Sequence, residues 1–182
     1  MQFPERTVTL KNGQSCLLRS PGAADAQALL EHMKLCSAET PYLLCYPDER
    51  TMTVAQEEDY LREMHANPAG MHISAFVDGE LAGNVGFGPL STAEKQRHRT
   101  EFGIAVKQKY WGLGIGGALL EALEEGARLC GYSQLELEVA AANTAAAALY
   151  EKHGFAPYGR RPRSSRYRDG SLDDALLMVK ML

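Results

Sequence analysis

No stretch of this chain approaches the ~18 consecutive apolar residues of a membrane-spanning helix, so a membrane protein of that kind is excluded. The opening segment, MQFPERTVTL, lacks an apolar core of signal-peptide length, and no leader is expected. Cysteine is scarce and scattered. Cys16, Cys36, Cys45 and Cys130 form no CxxC pair, which argues against a zinc site or a disulfide frame and suits the reduced thiols of a cytoplasmic protein. A basic excess is also missing: 19 Lys and Arg stand against 23 Asp and Glu, for a net charge of −4. That balance rules out a DNA-wrapping surface, and no nucleic-acid partner is expected. There is no internal repeat and no low-complexity linker. What remains is an ordinary globular mix, 45% hydrophobic and 23% charged. At 182 residues it is long enough for one domain over 1–182 and short for two.

Pattern along the chain gives the element order. Residues 7–19 read as two short strands around Asn12-Gly13. Ala26, Leu29, Leu30, Met33 and Cys36 recur at helical spacing. Thr53 and Gln56 have the spacing of a capping box, opening a helix that must stop before Asn67-Pro68. Met71 to Phe87 alternate across an Asp78-Gly79 turn, the clearest hairpin signal. Glu101–Val106 is a strand, Ala118–Cys130 a helix stopping at Gly131, and Leu135–Val139 a strand. Asn143–His153 is an alanine-rich helix ending at Gly154, and two strands, 156–167 and 172–181, flank Asp169-Gly170. The order is ββ-α-α-β-β-β-α-β-α-β-β. The strand–helix–strand unit at 101–139 requires a crossover and hence a parallel pair. The fold class is α+β: a mixed, mostly antiparallel sheet with helices on both faces.

Tyr110-Trp111-Gly112-Leu113-Gly114-Ile115-Gly116-Gly117 joins a strand to a helix. Glycines there let a ligand approach the backbone and turn N–H groups inward, and a helix N-terminus adds about half a positive charge. That suits a phosphate or diphosphate. Gly112, Gly114 and Gly117 satisfy GxGxxG, with Glu136 or Glu138 some 20 residues on, so a dinucleotide-binding oxidoreductase is a rival reading. Against it stand the residues 107–111 between strand and first glycine, the preceding antiparallel hairpins, and a remaining chain too short for a doubly wound sheet.

A second segment follows the next strand: Asn143-Thr144-Ala145-Ala146-Ala147-Ala148-Leu149-Tyr150, then Gly154-Phe155. With the glycine loop it resembles the GNAT superfamily of acetyl-CoA-dependent N-acetyltransferases. The resemblance covers about residues 71–160, and the loop wording looks like the bacterial branch that includes ribosomal-protein acetyltransferases. One departure is Trp111, where the family usually has Gln or Arg. It removes a polar side chain from the diphosphate site and implies weaker or re-aimed binding there.

The resemblance implies that acetyl-CoA is held along Ile104, Ala105 and Val106, on a strand that carries a bulge in the family. It also implies contacts along Trp111, Gly112, Leu113, Gly114, Ile115, Gly116 and Gly117, and at Asn143 and Tyr150. Tyr150 is the implied acid for the leaving thiolate; a buried, hydrogen-bonded core tyrosine is the plainer alternative. Glu101 and Glu138 compete as base, with Glu101 favoured; either is equally readable as a solvated strand glutamate. Asn143 is also a natural helix N-cap.

Neither motif contains a cysteine, so a covalent acetyl-enzyme has no nucleophile and direct attack in a ternary complex is expected. His32, His65, His72, His98 and His153 lack zinc-ligand spacing, and no metal is expected. Arg160, Arg161, Arg163, Arg166 and Arg168 read first as a solvated face and otherwise as a border of the acceptor site. Tyr42 and Tyr46, with Glu39, Asp48 and Glu49, sit in an early loop that borders the acceptor in the family and hint at an amine. The sequence thus points to transfer of acetyl to a primary amine of a small molecule or a peptide. A dinucleotide enzyme and a non-catalytic acyl-CoA-binding module are the alternatives, and a homodimer is a family habit.

Overall fold

A computed structural model describes all 182 residues. Its hairpins form where the chain carries residues that tolerate left-handed backbone. Asp78 and Gly79 have φ of 50° and 79°, the twist that matches a two-residue turn to its strands. They join β3 (Met71–Val77) to β4 (Glu80–Pro89). The other strands are β1 (Arg6–Thr9), β2 (Ser15–Arg19), β5 (Arg99–Val106), β6 (Gln134–Ala140), β7 (Ala156–Arg166) and β8 (Leu172–Met181). They make one 8-stranded sheet in the order β1-β2-β3-β4-β5-β6-β8-β7. Every pairing is antiparallel except β5 with β6.

Helices α1 (Ala26–Glu39) and α2 (Val54–Ala66) lie on one face, where Leu29 and Leu61 pack with Phe76 and Leu81. The capping box forms: the Thr53 hydroxyl accepts the Gln56 N–H, and the Gln56 side chain accepts the Thr53 N–H. Helices α3 (Ile115–Leu129) and α4 (Thr144–Lys152) cover the other face. Leu119, Leu120 and Leu123 of α3 are fully buried against Ile73, Val85 and Leu135 of the sheet. Each such leucine contributes about 1.5–3 kcal/mol by leaving water, which makes this layer the main source of stability. No helix is long and apolar enough to cross a membrane.

Two boundaries beside the loop differ from the sequence reading by two or three residues. β5 begins at Arg99 rather than Glu101, and α3 begins at Ile115 rather than Ala118. Gly116 and Gly117 therefore sit inside the first helical turn, because Gly114, at φ 101°, is already the N-cap. Low helix propensity at those two residues delays the helix on paper. In the fold, their lack of a side chain lets α4 come close: a Cβ at Gly116 would lie 3.0 Å from Leu149 Cδ2, and one at Gly117 would lie 3.1 Å from His153 Nε2.

Candidate functional site

The site begins as a fault in the sheet. β5 and β6 pair only at Arg99↔Gln134, Thr100↔Leu135 and Glu101↔Glu136. Beyond that rung β5 stays with β4 as far as Val106, and β6 stays with β8 as far as Ala140. The two strands part, leaving a wedge with backbone on both sides. The Lys107 N–H bonds the Ala82 carbonyl at 3.0 Å and sets the alternation of the antiparallel ladder. Ala105 therefore turns its main-chain groups to β4, while Ile104 and Val106 turn theirs into the wedge. Ala105, unlike its two neighbours, has its N–H and carbonyl directed to the sheet.

The bulge implied for this strand is also absent. Register from Thr100 to Val106 is unbroken against β4. The irregularity lies one strand over, where Ala82 is the extra residue between the pairs Ala75↔Gly83 and Phe76↔Leu81. Divergence from β6, not a bulge, frees the edge.

At the mouth of the wedge stands the glycine loop. Gly112 (φ 79°) and Gly114 (φ 101°) hold left-handed conformations that only glycine adopts without strain. The backbone N–H groups of Gly112, Gly114, Ile115, Gly116 and Gly117 have no partner within the chain, and no side chain caps the helix. A Cβ at Gly112 would meet nothing within 4 Å. Open amides around bare space, at the positive end of a helix, fit a diphosphate.

Leu113 has main-chain partners of its own. Its carbonyl accepts the Lys11 N–H at 3.0 Å and its N–H reaches the Tyr110 carbonyl at 3.4 Å, so it ties the loop to the β1–β2 turn. The Ile115 side chain is a core residue at 1% exposure. Trp111 is half exposed, and its Nε1 donates to the Val106 carbonyl at 2.7 Å.

The entry to the loop is fixed by Glu80, which the sequence did not flag, and by Glu39, which it did. The Glu80 carboxylate accepts from Lys107 Nζ at 2.8 Å, Lys109 Nζ at 2.6 Å and the Tyr110 hydroxyl at 3.1 Å. Those donors, the Lys107 hydrogen bond first, hold its carboxyl down at about 2. Glu39 accepts the Gln108 N–H at 2.8 Å. The one available signal for Glu80 was its place after the Asp78-Gly79 turn, on a strand that must neighbour β5.

Tyr150 is buried on α4, its ring edge-on to Phe102 and Phe155. Burial alone pushes its phenol up to about 12. Its hydroxyl makes no hydrogen bond to the protein, unlike the ordinary buried tyrosine whose hydroxyl finds a partner. Glu101 sits at the vertex of the wedge, on the last rung, exposed and without a protein partner. Desolvation raises its carboxyl above the usual range, and the nearby Glu138 and Glu136 add to the shift against the pull of Arg161. Glu138 is one step further along β6 on the same face, where its Oε2 accepts from Arg161 Nη1 at 2.6 Å. Asn143 caps α4, its Oδ1 accepting the Ala146 N–H at 3.2 Å.

The family model for the acetyltransferase (GNAT) family matches residues 30–155. The chain belongs to that family. Mycothiol acetyltransferase of Jonesia denitrificans is 31% identical over 137 residues, 75% of this chain and 41% of that protein. The ribosomal protein bS18-alanine N-acetyltransferase of Escherichia coli is 43% identical over 80 residues, 44% of this chain and 53% of that protein. The chain thus spans about half the length, or less, of these curated relatives. Among solved structures, a GNAT-family acetyltransferase from Streptococcus pneumoniae superposes with a TM-score of 0.87 at 30% identity, covering 92% of this chain and 99% of that one.

The rest of this GNAT chain's site follows from side chains brought in by loops. The basic run from Arg160 to Arg168 is solvent-exposed, and three of its arginines are nevertheless paired. Arg160 pairs with Asp174 at 2.6 Å, Arg161 with Glu138 at 2.6 Å, and Arg168 with Asp48 at 2.7 Å, which ties the β7–β8 hairpin to the α1–α2 loop. Under the sheet, His32 Nε2 meets Asn84 Oδ1 at 2.9 Å, and Asn84 Nδ2 meets His72 Nε2 at 3.0 Å. Burial lowers both imidazoles to about 4, so they are neutral and structural in character. No three His, Cys, Asp or Glu side chains gather as a metal would need.

Proposed function

We propose that residues 1–182 act as one N-acetyltransferase domain that moves acetyl from acetyl-CoA to a primary amine. The observation that carries this reading is the set of unpartnered amides of Gly112, Gly114, Ile115, Gly116 and Gly117 at the mouth of the β5–β6 wedge. The amides take the diphosphate, and the Ile104 and Val106 edges take the pantetheine arm as a peptide-like neighbour. Acetyl-CoA supplies an activated acyl carbon; the acetyl passes from thioester sulfur to amine nitrogen and CoA leaves as a thiol.

Glu101 receives the proton that the attacking ammonium must lose, directly or through water. Its raised pKa suits it to this better than an ordinary carboxylate. Glu138, bound to Arg161, positions that side of the acceptor path. Tyr150 delivers a proton to the departing sulfur; its hydroxyl is free to do so because nothing in the chain claims it. Positioning of two substrates in one cleft supplies much of the acceleration.

Dinucleotide chemistry finds no support in the topology. The strand feeding the loop is flanked by an antiparallel neighbour, and only one pair in the sheet is parallel. Calorimetric titration with acetyl-CoA and with NADH tests the reading: saturable binding of the first alone is expected, and the reverse overturns it. Release of CoA thiol across a panel of amines tests transfer.

A further inference from the structure

The α1–α2 loop and the β7–β8 hairpin border an open cleft of about 490 Å³ that the reaction described above does not use. Tyr42, Tyr46 and Tyr167 line it together with Asp169 and Asp173, and the lining includes Ala142, the residue before the α4 cap Asn143. The cleft therefore borders the segment that follows β6, at the end where β5 and β6 have parted.

Its chemistry is that of a cation box. Aromatic faces attract organic cations, and carboxylates beside them complete the charge. The chain already shows the mode of binding. The Arg168 guanidinium lies 3.9 Å over the Tyr46 ring and grips both oxygens of Asp48, at 2.8 and 2.7 Å. The two lining carboxylates are only partly used. Asp173 Oδ2 accepts from the Tyr167 hydroxyl at 3.1 Å, and Asp169 Oδ1 accepts from Ser171. Asp173 Oδ1 and Asp169 Oδ2 have no partner in the chain. The single lining cation, Arg168, is already neutralised by Asp48.

We infer that this cleft holds a second cationic group of the acceptor, so that the enzyme acetylates amines carrying an additional ammonium or guanidinium a short distance from the reacting nitrogen. The inference rests on the N-acetyltransferase reading and names its substrate class. A small diamine and a peptide with a basic side chain near its terminus present the same chemistry.

The test compares matched acceptors on the full chain at saturating acetyl-CoA. 1,4-Diaminobutane is set against butylamine, and alanyl-arginine amide against alanyl-norleucine amide, in wild type and in an Asp169→Asn/Asp173→Asn double variant. Asparagine keeps the acceptor oxygens that Tyr167 and Ser171 use, so the fold is retained; a melting curve checks this. The KM for the doubly charged acceptors is expected to be at least tenfold below that of their partners in wild type. In the variant that advantage disappears, with the monoamine KM and the acetyl-CoA Kd unchanged. Preference within the diamine pair alone assigns a small-molecule source, and within the peptide pair alone a polypeptide.

Equal KM values in wild type, or a preference that survives in the variant, overturn the inference. Calorimetric titration of 1,4-diaminobutane and of alanyl-arginine amide into the CoA-loaded protein keeps the two claims separate. Binding abolished by the double variant supports the cleft even where no acetyl transfer is seen. Absent binding of both overturns it even where butylamine is acetylated.

Discussion

The indole N–H of Trp111 donates to the carbonyl of Val106 at 2.7 Å. This places the side chain that departs from the family pattern on one of the two edge residues facing the wedge. It also explains how the loop keeps its shape without a Gln or Arg there: the indole bridges strand and loop directly. In the proposed binding mode a pantetheine arm would compete for that carbonyl.

Trp111 is the only tryptophan in the chain. Its emission is expected to change saturably as acetyl-CoA is added, with a midpoint equal to the calorimetric Kd. Emission that stays constant through saturation places the cofactor away from Val106.

Removing the Tyr150 hydroxyl separates chemistry from stability. Because that hydroxyl has no protein partner, Tyr150→Phe is expected to shift unfolding free energy by less than about 1 kcal/mol. The same change is expected to lower kcat well over tenfold with the acetyl-CoA Kd retained. Unchanged turnover takes Tyr150 out of the mechanism.

The pH profile of kcat/KM reports the base. Glu101 is raised above its ordinary value by burial and by its acidic neighbours, so the acid limb of the profile is expected above the usual carboxylate range. Glu101→Gln is expected to erase that limb. Glu138→Gln is expected to keep it and raise the acceptor KM, since it frees Arg161 in the acceptor path. If Glu138→Gln removes the limb instead, the roles are exchanged.

Gly112→Ala probes the loop by geometry. The new Cβ meets open space, so the cost is the left-handed backbone itself, about 1–2 kcal/mol. Relief of that strain re-aims the amides, and the acetyl-CoA Kd is expected to rise at least tenfold while secondary structure by circular dichroism is kept. Wild-type affinity in a folded Gly112→Ala protein argues against diphosphate binding there.

Acid stability tests the buried histidines. Burial lowers His32 and His72 from 6.5 to about 4, so above pH 6.5 both are neutral in either state and the full stability is present. Below 6.5 the unfolded chain takes up protons that the folded chain refuses, and stability falls as pH falls toward 4. For His32 the loss is on the order of 3 kcal/mol. The groups facing His32 are Asn84, Cys36, Lys107 and Arg50; those facing His72 are Asn84, His32 and Tyr60. Urea midpoints at pH 7 and pH 4.5 are expected to differ more in wild type than in His32→Gln, which keeps a donor to Asn84 but cannot take a proton. Equal pH sensitivity in both removes His32 as the cause.

The sequence by itself determined the element order, the turns and the loop, because those depend on neighbours along the chain. Asp78-Gly79 can make only a few turns, Thr53 and Gln56 cap each other across one helical turn, and the alternation of Leu135, Leu137 and Val139 fixes which face of β6 is buried. The family resemblance of the two motifs also singled out Glu101, Tyr150 and the glycine loop as one candidate site. Tertiary structure alone decided what those residues do, because that depends on partners far away in sequence. The wedge exists because β5 and β6 keep different outer neighbours past Glu101 and Glu136. Glu138 differs from Glu101 only because Arg161, on another strand, reaches it. Gly116 and Gly117 serve close packing because Leu149 of α4 and its C-cap His153 come down on them. Local pattern sets backbone conformation, and only the folded chain sets distance, desolvation and charge.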